Sequence, residues 1–459
     1  MRFLHSRERK KQSNQQQYYP DWPRFNSNHI PGLLINKEAD FFVNLYLSLY
    51  WRDMKRSAIL LSLLIVVLAA VIGAVSWRGV RSVMPSAQQS SSTMSVGTSS
   101  SPSSIGEDLP AGIDDTGMNF SVPAGMRAEI FASGLSGARD IVQDSFGNFW
   151  VSRPSEGIVT QLEMSGSTVR ATYDIFRGLK GPHGLTIDPV SGIDLFIAEE
   201  TSIKKARLYS DAPVETIAEL PAGGRHTTRT LGIGPDDRLY VSIGSTCDVC
   251  VEANELHGTI ITMTKDGEDQ KIVARGLRNA VFFTWSLVDG RMWATDMGRD
   301  MLGNDLPLEE VNIIKEGSHY GWPFCYGDRV RDMSFQPSTN FDCATTEPPH
   351  LTLPAHIAPL GLSFIPEEGW PEEYWYDLLV AEHGSWNSTV PVGYDVVRIP
   401  LDAQGNREGD TVPFLSGFHT GRAANGRPVD LFTQPGGVLY VTDDKKGVVY
   451  RLTMQEPAR

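Results

Sequence analysis

The sequence predicts an all-β propeller domain preceded by a single membrane-spanning helix, and three observations carry that prediction. A short pattern, a turn bearing Gly or Asp and then an apolar-aromatic strand, recurs along the chain. Its copies are GNFWVS (147–152), IDLFIA (193–198), DRLYVS (237–242), GRMWAT (290–295), YDLLVA (376–381) and GVLYVT (437–442). Gly and Pro, which punctuate turns, number 43 and 28 among 459 residues, while long helical patterns are few. Finally, Ala58 to Trp77 runs without a charge, close to the ~20 residues a helix needs to cross a bilayer.

From the N-terminus, residues 1–57 are polar and basic and read as a short cytoplasmic tail. Met54 opens a complete signal-anchor start of its own, so part of this stretch is alternatively sequence upstream of the initiator. Residues 58–77 form the anchor. Lys55 and Arg56 precede it, Arg78 and Arg81 follow, and no clear A-x-A cleavage site appears. The basic amino side favours a cytoplasmic N-terminus, which puts the following domain outside the cytoplasm. Residues 78–107 contain the run SAQQSSSTMSVGTSSSPSS, whose composition suits a flexible tether.

The propeller is expected over 108–459. Trp150, Phe196, Tyr240 and Trp293 lie 46, 44 and 53 residues apart, a period of propeller blades. Strands running back follow some copies, as in YDVVRI (394–399) and GVVYRL (447–452). A closed ring hides strand edges; a sandwich or open β array is the alternative. The formal net charge is −14, with ten basic against five acidic residues before Ala58, so the body is strongly acidic. That argues against a nucleic-acid partner, whose phosphates need a basic footprint.

The chain has four cysteines. Cys247 and Cys250 form a CxxC, compatible with zinc, a redox motif or a short disulfide; no second CxxC and no following His support the first. Two disulfides between sequence neighbours, Cys247–Cys250 and Cys325–Cys343, are expected in an oxidising compartment, free thiols being the alternative. Four histidines, His183, His226, His356 and His383, stand beside strand starts or ends at comparable places of the repeat. A ring would bring them towards one axis, where a histidine is a natural general base. YGWP (320–323) reads as a packing and turn element, Glu309-Glu310 as a solvated or capping pair, and Asn387-Ser388-Thr389 as a sequon.

Several spaced motifs then become specific: GRHTTRTLGIGPDDRLYVSIGSTCDVC, GLRNAVFFTW, DMGRDMLGNDLPLEEVNIIKEGSHYGWPFCYGD, HIAPLGLSF, AEHGSWN and NGRPVDLF, in that order. Together they resemble the glucose/sorbosone dehydrogenase family, closest to its sorbosone dehydrogenase-like branch, from about Asn119 to Leu452. The resemblance implies a six-bladed propeller that binds pyrroloquinoline quinone and calcium over its central channel. By it, His226 matches the catalytic base, Arg278 and Asn279 the pair against the quinone, and Arg427 an arginine holding the cofactor's carboxylates. Gly298 and Arg299 fall near the loop whose carbonyls ligate calcium.

Three positions depart from that pattern. Ser245 replaces the aspartate supporting the base, Val429 stands where a second arginine is expected, and Gly384 or Ser385 where a lysine is. His183, His383 and Arg229 are the remaining candidates for cofactor contact. The implied activity is oxidation of a sugar or polyol CH–OH, with electrons passed to an extracytoplasmic acceptor. Two other functions compete: a calcium-dependent lactonase-type hydrolase, for which Glu382 and Asp430 are the nearby acids, and a non-catalytic binding module.

Overall fold

The computed structural model describes residues 111–336, 340–421 and 423–455. The tail, anchor and tether expected over 1–107 lie outside them. Among the described residues no helix is long and apolar enough to cross a membrane.

Six sheets, each built on four antiparallel strands, form the blades. Their innermost strands are Ile141–Gln143, Leu185–Ile187, Leu231–Ile233, Phe283–Trp285, Pro359–Phe364 and Pro428–Gln434. Next outward come Phe149–Arg153, Asp194–Ala198, Leu239–Ile243, Met292–Asp296, Leu378–Glu382 and Val438–Asp443. These second strands are the six copies read from the sequence, one for each blade. Their apolar runs have a simple cause: a second strand is covered on both faces by neighbouring blades. Phe149–Arg153, Met292–Asp296 and Leu378–Glu382 are buried at every position. Between the first and last blades the Phe149 and Tyr440 rings stand 4.6 Å apart, and between the second and third Phe196, Leu231 and Val241 pack together.

The ring closes by pairing its two ends. Met126–Ser133 lies antiparallel to Val448–Met454, with Met126 opposite Met454 and Ser133 opposite Val448. An insertion between Glu309–Ile313 and Leu351–Leu353 explains the wide gap before the fifth copy of the repeat; it carries a small hairpin, Cys325–Tyr326 with Val330–Arg331. Both expected disulfides form, and no described cysteine is free.

This topology decides where function can sit. Each innermost strand enters the ring from one end, and each second strand climbs back to that end. The segments before the first strands and the loops after the second strands therefore share one mouth.

Candidate active site

His226 lies on the segment entering the third blade. Its Nδ1 is 2.8 Å from the Ser245 hydroxyl, and that hydroxyl donates to the Cys247 carbonyl at 2.8 Å. A serine has one proton to give. With it committed to Cys247, Ser245 can only accept, so His226 carries its proton on Nδ1 and leaves Nε2 bare. Nε2 has no partner among the described residues, and the ring is half-buried. Burial, then the nearby Arg278 and Arg225 cations, push His226 from 6.5 down to about 3. The imidazole is thus neutral through the physiological range, held below the near-neutral titration of an ordinary histidine first by burial and then by the two guanidinia.

Arg278 and Asn279 enter the fourth blade beside it. A Cβ built on Gly244 would lie 2.6 Å from His226 Cβ and 2.8 Å from Asn279 Oδ1, so only glycine lets the two segments close up. The Arg278 guanidinium is held on three sides: by Asp248 Oδ1 at 2.8 Å and its carbonyl at 3.1 Å, by Asp300 at 3.3 Å, and by the Met297 carbonyl at 3.3 Å. Arg225 reaches Asp300 at 2.9 Å and packs over the ring of Trp386, a residue that is 63% exposed. Arg299 turns away from the channel loop, onto Asp332 at 2.6 Å and Ser334 at 2.7 Å. Three guanidinia, Arg225, Arg278 and Arg299, are thus matched by three carboxylates, Asp248, Asp300 and Asp332, in one ion-pair network along this side of the mouth.

Buried acids hold the backbone of this wall. Asp296 accepts the N–H groups of Arg278 and Asn279 at 3.0 and 2.7 Å. Glu309 accepts those of Gly298 and His356 at 2.6 and 3.0 Å. Glu309 and Glu310, expected to be solvated, are buried instead; their strand is enclosed on both faces, and burial pushes each up to about 8. His356 is likewise buried and donates from Nε2 to the Gly303 carbonyl at 2.6 Å, which ties down the loop that follows Gly298 and Arg299. The carbonyls of Gly298 and Arg299 accept no hydrogen bond among the described residues.

Across the mouth, Arg427 donates to the carbonyls of His383 and Gly384 at 2.9 and 2.5 Å and lies over the Tyr394 ring. His383 Nε2 is 3.0 Å from Asp444, which also binds Arg139 at 2.9 Å. Burial brings His383 down to about 4, so it is neutral at physiological pH. Burial works against ionised Asp444, but the hydrogen bond from His383 and the Arg139 charge hold it well below the carboxylate range.

Two other candidates do not reach the mouth surface. Arg229 is fully buried, and its guanidinium donates to the carbonyls of Pro221, His226 and Thr228 at 3.2, 2.8 and 3.0 Å. It shapes the His226 segment from behind. His183 is also fully buried, between Arg139 at 3.3 Å and Thr230 at 3.3 Å. The departures have physical grounds too. Val429 belongs to the apolar core between blades, and a Cβ at Gly384 would start 2.3 Å from the Tyr394 ring, so no lysine fits there. Asn387 of the sequon donates to Asp300 at 2.7 Å, so its amide already belongs to the wall.

Sequence reasoning missed Arg139, Arg225, Asp248, Asp296, Asp300 and Asp444. A signal existed: the polar residues that follow the repeat copies, in TDMGRD (295–300) and TDDKK (442–446), stand where second strands reach the mouth. The acids near the mouth are therefore more numerous than Glu382 and Asp430, but Asp248, Asp300 and Asp444 are paired with arginines and Asp296 and Glu309 with backbone N–H groups.

A family model described as TrAA12-like matches residues 120–455. The chain belongs to the TrAA12-like family. This agrees with the resemblance to the glucose/sorbosone dehydrogenases. The TrAA12-like chain is 30% identical over 361 residues to an uncharacterized protein of Borreliella burgdorferi, covering 72% of this chain and 90% of that one. It is 25% identical over 403 residues to the pyrroloquinoline quinone-dependent pyranose dehydrogenase of Coprinopsis cinerea, covering 72% of this chain and 54% of that enzyme. It therefore spans about half the length of the Coprinopsis protein. Among solved structures, the holo form of the pyranose dehydrogenase PQQ domain from Coprinopsis cinerea superposes with a TM-score of 0.63 at 22% identity, covering 75% of this chain and 99% of that domain. A calcium structure of the Trichoderma reesei family AA12 enzyme gives 0.64 at 21% identity, covering 73% and 96%. These structures share the TrAA12-like propeller fold.

Proposed function

We propose that the TrAA12-like propeller is an oxidoreductase that removes hydride from a CH–OH carbon of a sugar or related polyol, with pyrroloquinoline quinone and calcium as cofactors. The observation that carries this reading is the bare Nε2 of His226, fixed by Ser245 and kept unprotonated beside two arginines. Such a nitrogen would take the proton of a hydroxyl as hydride leaves the carbon bearing that hydroxyl for a two-electron acceptor. The names of the Coprinopsis relative and of the solved neighbours support the substrate class.

The residues present fit a polyanionic, planar cofactor. Arg427, whose guanidinium meets only backbone carbonyls and the Tyr394 ring among the described residues, suits a carboxylate, which a guanidinium grips in plane, and the Arg278 and Asn279 segment lies at the same mouth. Gly298 and Arg299 offer two carbonyl oxygens with no other partner, the donors a hard cation takes. When bound, the quinone supplies the two-electron acceptor and calcium polarises it as a Lewis acid. Arg278, held rigid by Asp248 and Asp300, stabilises negative charge developing nearby without reorganising. Trp386, exposed beside Arg225, offers a flat apolar face at the rim.

A second reading, a binding module without catalysis, rests on the positions of Val429 and Tyr394, which leave two cation sites of the family pattern unfilled. Titrating purified protein with quinone and calcium, then offering a sugar panel with a redox dye, separates the two. Bound-cofactor absorbance with dye reduction supports the enzyme; absence of both supports the module. We further propose that residues 58–77 anchor the propeller outside the cytoplasmic membrane, where its electrons pass to an external acceptor.

A further inference from the structure

Four residues, Cys247 to Cys250, close on themselves through a disulfide and reach both groups assigned to the chemistry, Arg278 directly and His226 through Ser245. The Cys247 carbonyl takes the Ser245 proton, which obliges Ser245 to accept from His226 Nδ1. Asp248 gives Arg278 both its carboxylate and its carbonyl; the same carboxylate accepts Asp300 N–H at 2.9 Å, and the same carbonyl accepts Trp322 Nε1–H at 3.0 Å. Glu252, just beyond, accepts from the N–H and hydroxyl of Thr246 at 2.6 and 2.7 Å. The turn is thereby pinned at both ends.

An unrestrained imidazole in water prefers its proton on Nε2, the atom that a base at this mouth must keep bare. Something has to impose the opposite choice, and the ring's one hydroxyl partner does so only because Cys247 points its carbonyl at Ser245. Closing so short a loop restricts the unfolded chain less than the 18-residue span of Cys325–Cys343, so global stability is the weaker account of this bridge.

We infer that the disulfide-closed loop Cys247–Cys250 is the positioning element of the site, holding His226 in its Nδ1–H form through Ser245 and aiming Arg278 through Asp248. Its catalytic meaning rests on the proposed role of His226; the tautomer itself does not.

Histidine-selective ¹⁵N NMR of the full-length chain, with His226 assigned by its loss in His226→Gln, reads the tautomer without cofactor or substrate. The wild type should show a protonated Nδ1 and a bare Nε2. The double change Cys247→Ser with Cys250→Ser, and separately Ser245→Ala, should move His226 mainly to the Nε2–H form while the propeller stays folded. If the double variant fails to fold, Cys250→Ala opens the loop and keeps the Cys247 backbone. In quinone-loaded protein the open loop should lower kcat by roughly 10- to 100-fold, the scale of a misplaced catalytic group, with KM within about twofold. An Nε2–H form in the wild type, an unchanged Nδ1–H form with the loop open, or an undiminished kcat would each overturn the inference. A tautomer that behaves as described in a protein without dehydrogenase activity upholds the positioning role and rejects the catalytic reading.

Discussion

Ser245→Asp places a carboxylate where a hydroxyl now meets His226 Nδ1 at 2.8 Å. His226 is held at about 3 by burial and by Arg278 and Arg225, against an ordinary 6.5. That difference corresponds to about 5 kcal/mol disfavouring the imidazolium. An opposite charge at hydrogen-bond distance raises a histidine by roughly one to three pH units. A base works unprotonated, so activity is present above its pKa and lost as pH falls through it. The wild-type kcat/KM should therefore stay flat down to about pH 4, and the variant's acid limb should lie one to three units higher. Dye-reduction rates across pH, with an NMR titration of the His226 ring as a check, measure both limbs. A wild-type acid limb near 6.5, or a variant limb that does not move, would refute the assignment of His226 to burial beside two guanidinia.

Three further outcomes are expected. Asp296 is raised to about 7, and Glu309, Glu310 and Glu382 to about 8, by burial. Their protons stabilise the fold fully below the unfolded carboxylate range and cease to do so as pH rises through 7 to 8, so Tm should fall between pH 5 and 9; a rising Tm contradicts this burial account. Arg229→Met should cost about 1–3 kcal/mol, because three part-buried carbonyls lose their donor, with Arg229→Lys recovering part of it in denaturant melts. Protease added to intact cells should release the propeller if residues 58–77 anchor it outside, whereas protection until lysis would reject that topology.

The fold was legible because blade interfaces impose a repeating demand. Each second strand must be apolar on both faces, and that demand wrote GNFWVS, DRLYVS and their counterparts into the chain. The motifs of His226, Arg278 and Arg427 located the mouth at which the structure places these residues. The partners of these residues were not legible. Asp248 sits inside a CxxC whose cysteines explain its presence on other grounds, and its reach to Arg278 spans 30 residues of sequence. Asp444 meets Arg139 across the ring closure, 305 residues away. Arg229 and His183 misled for the opposite reason: a cation or imidazole beside a channel motif looks the same in sequence whether it faces the channel or, as here, the backbone behind it. Glu309-Glu310 misled because a charged pair is usually solvated, and only the enclosing blades show otherwise.

The central claim is that His226 takes a proton from a sugar hydroxyl at a quinone-loaded site. Its most direct test compares wild type and His226→Ala after reconstitution with pyrroloquinoline quinone and calcium, following bound-cofactor absorbance and dye reduction with the best sugar of a panel. Turnover should be lower by roughly 10²- to 10⁴-fold in the variant, with cofactor still bound. Undiminished turnover in His226→Ala, or a wild type that never binds the quinone, would contradict it.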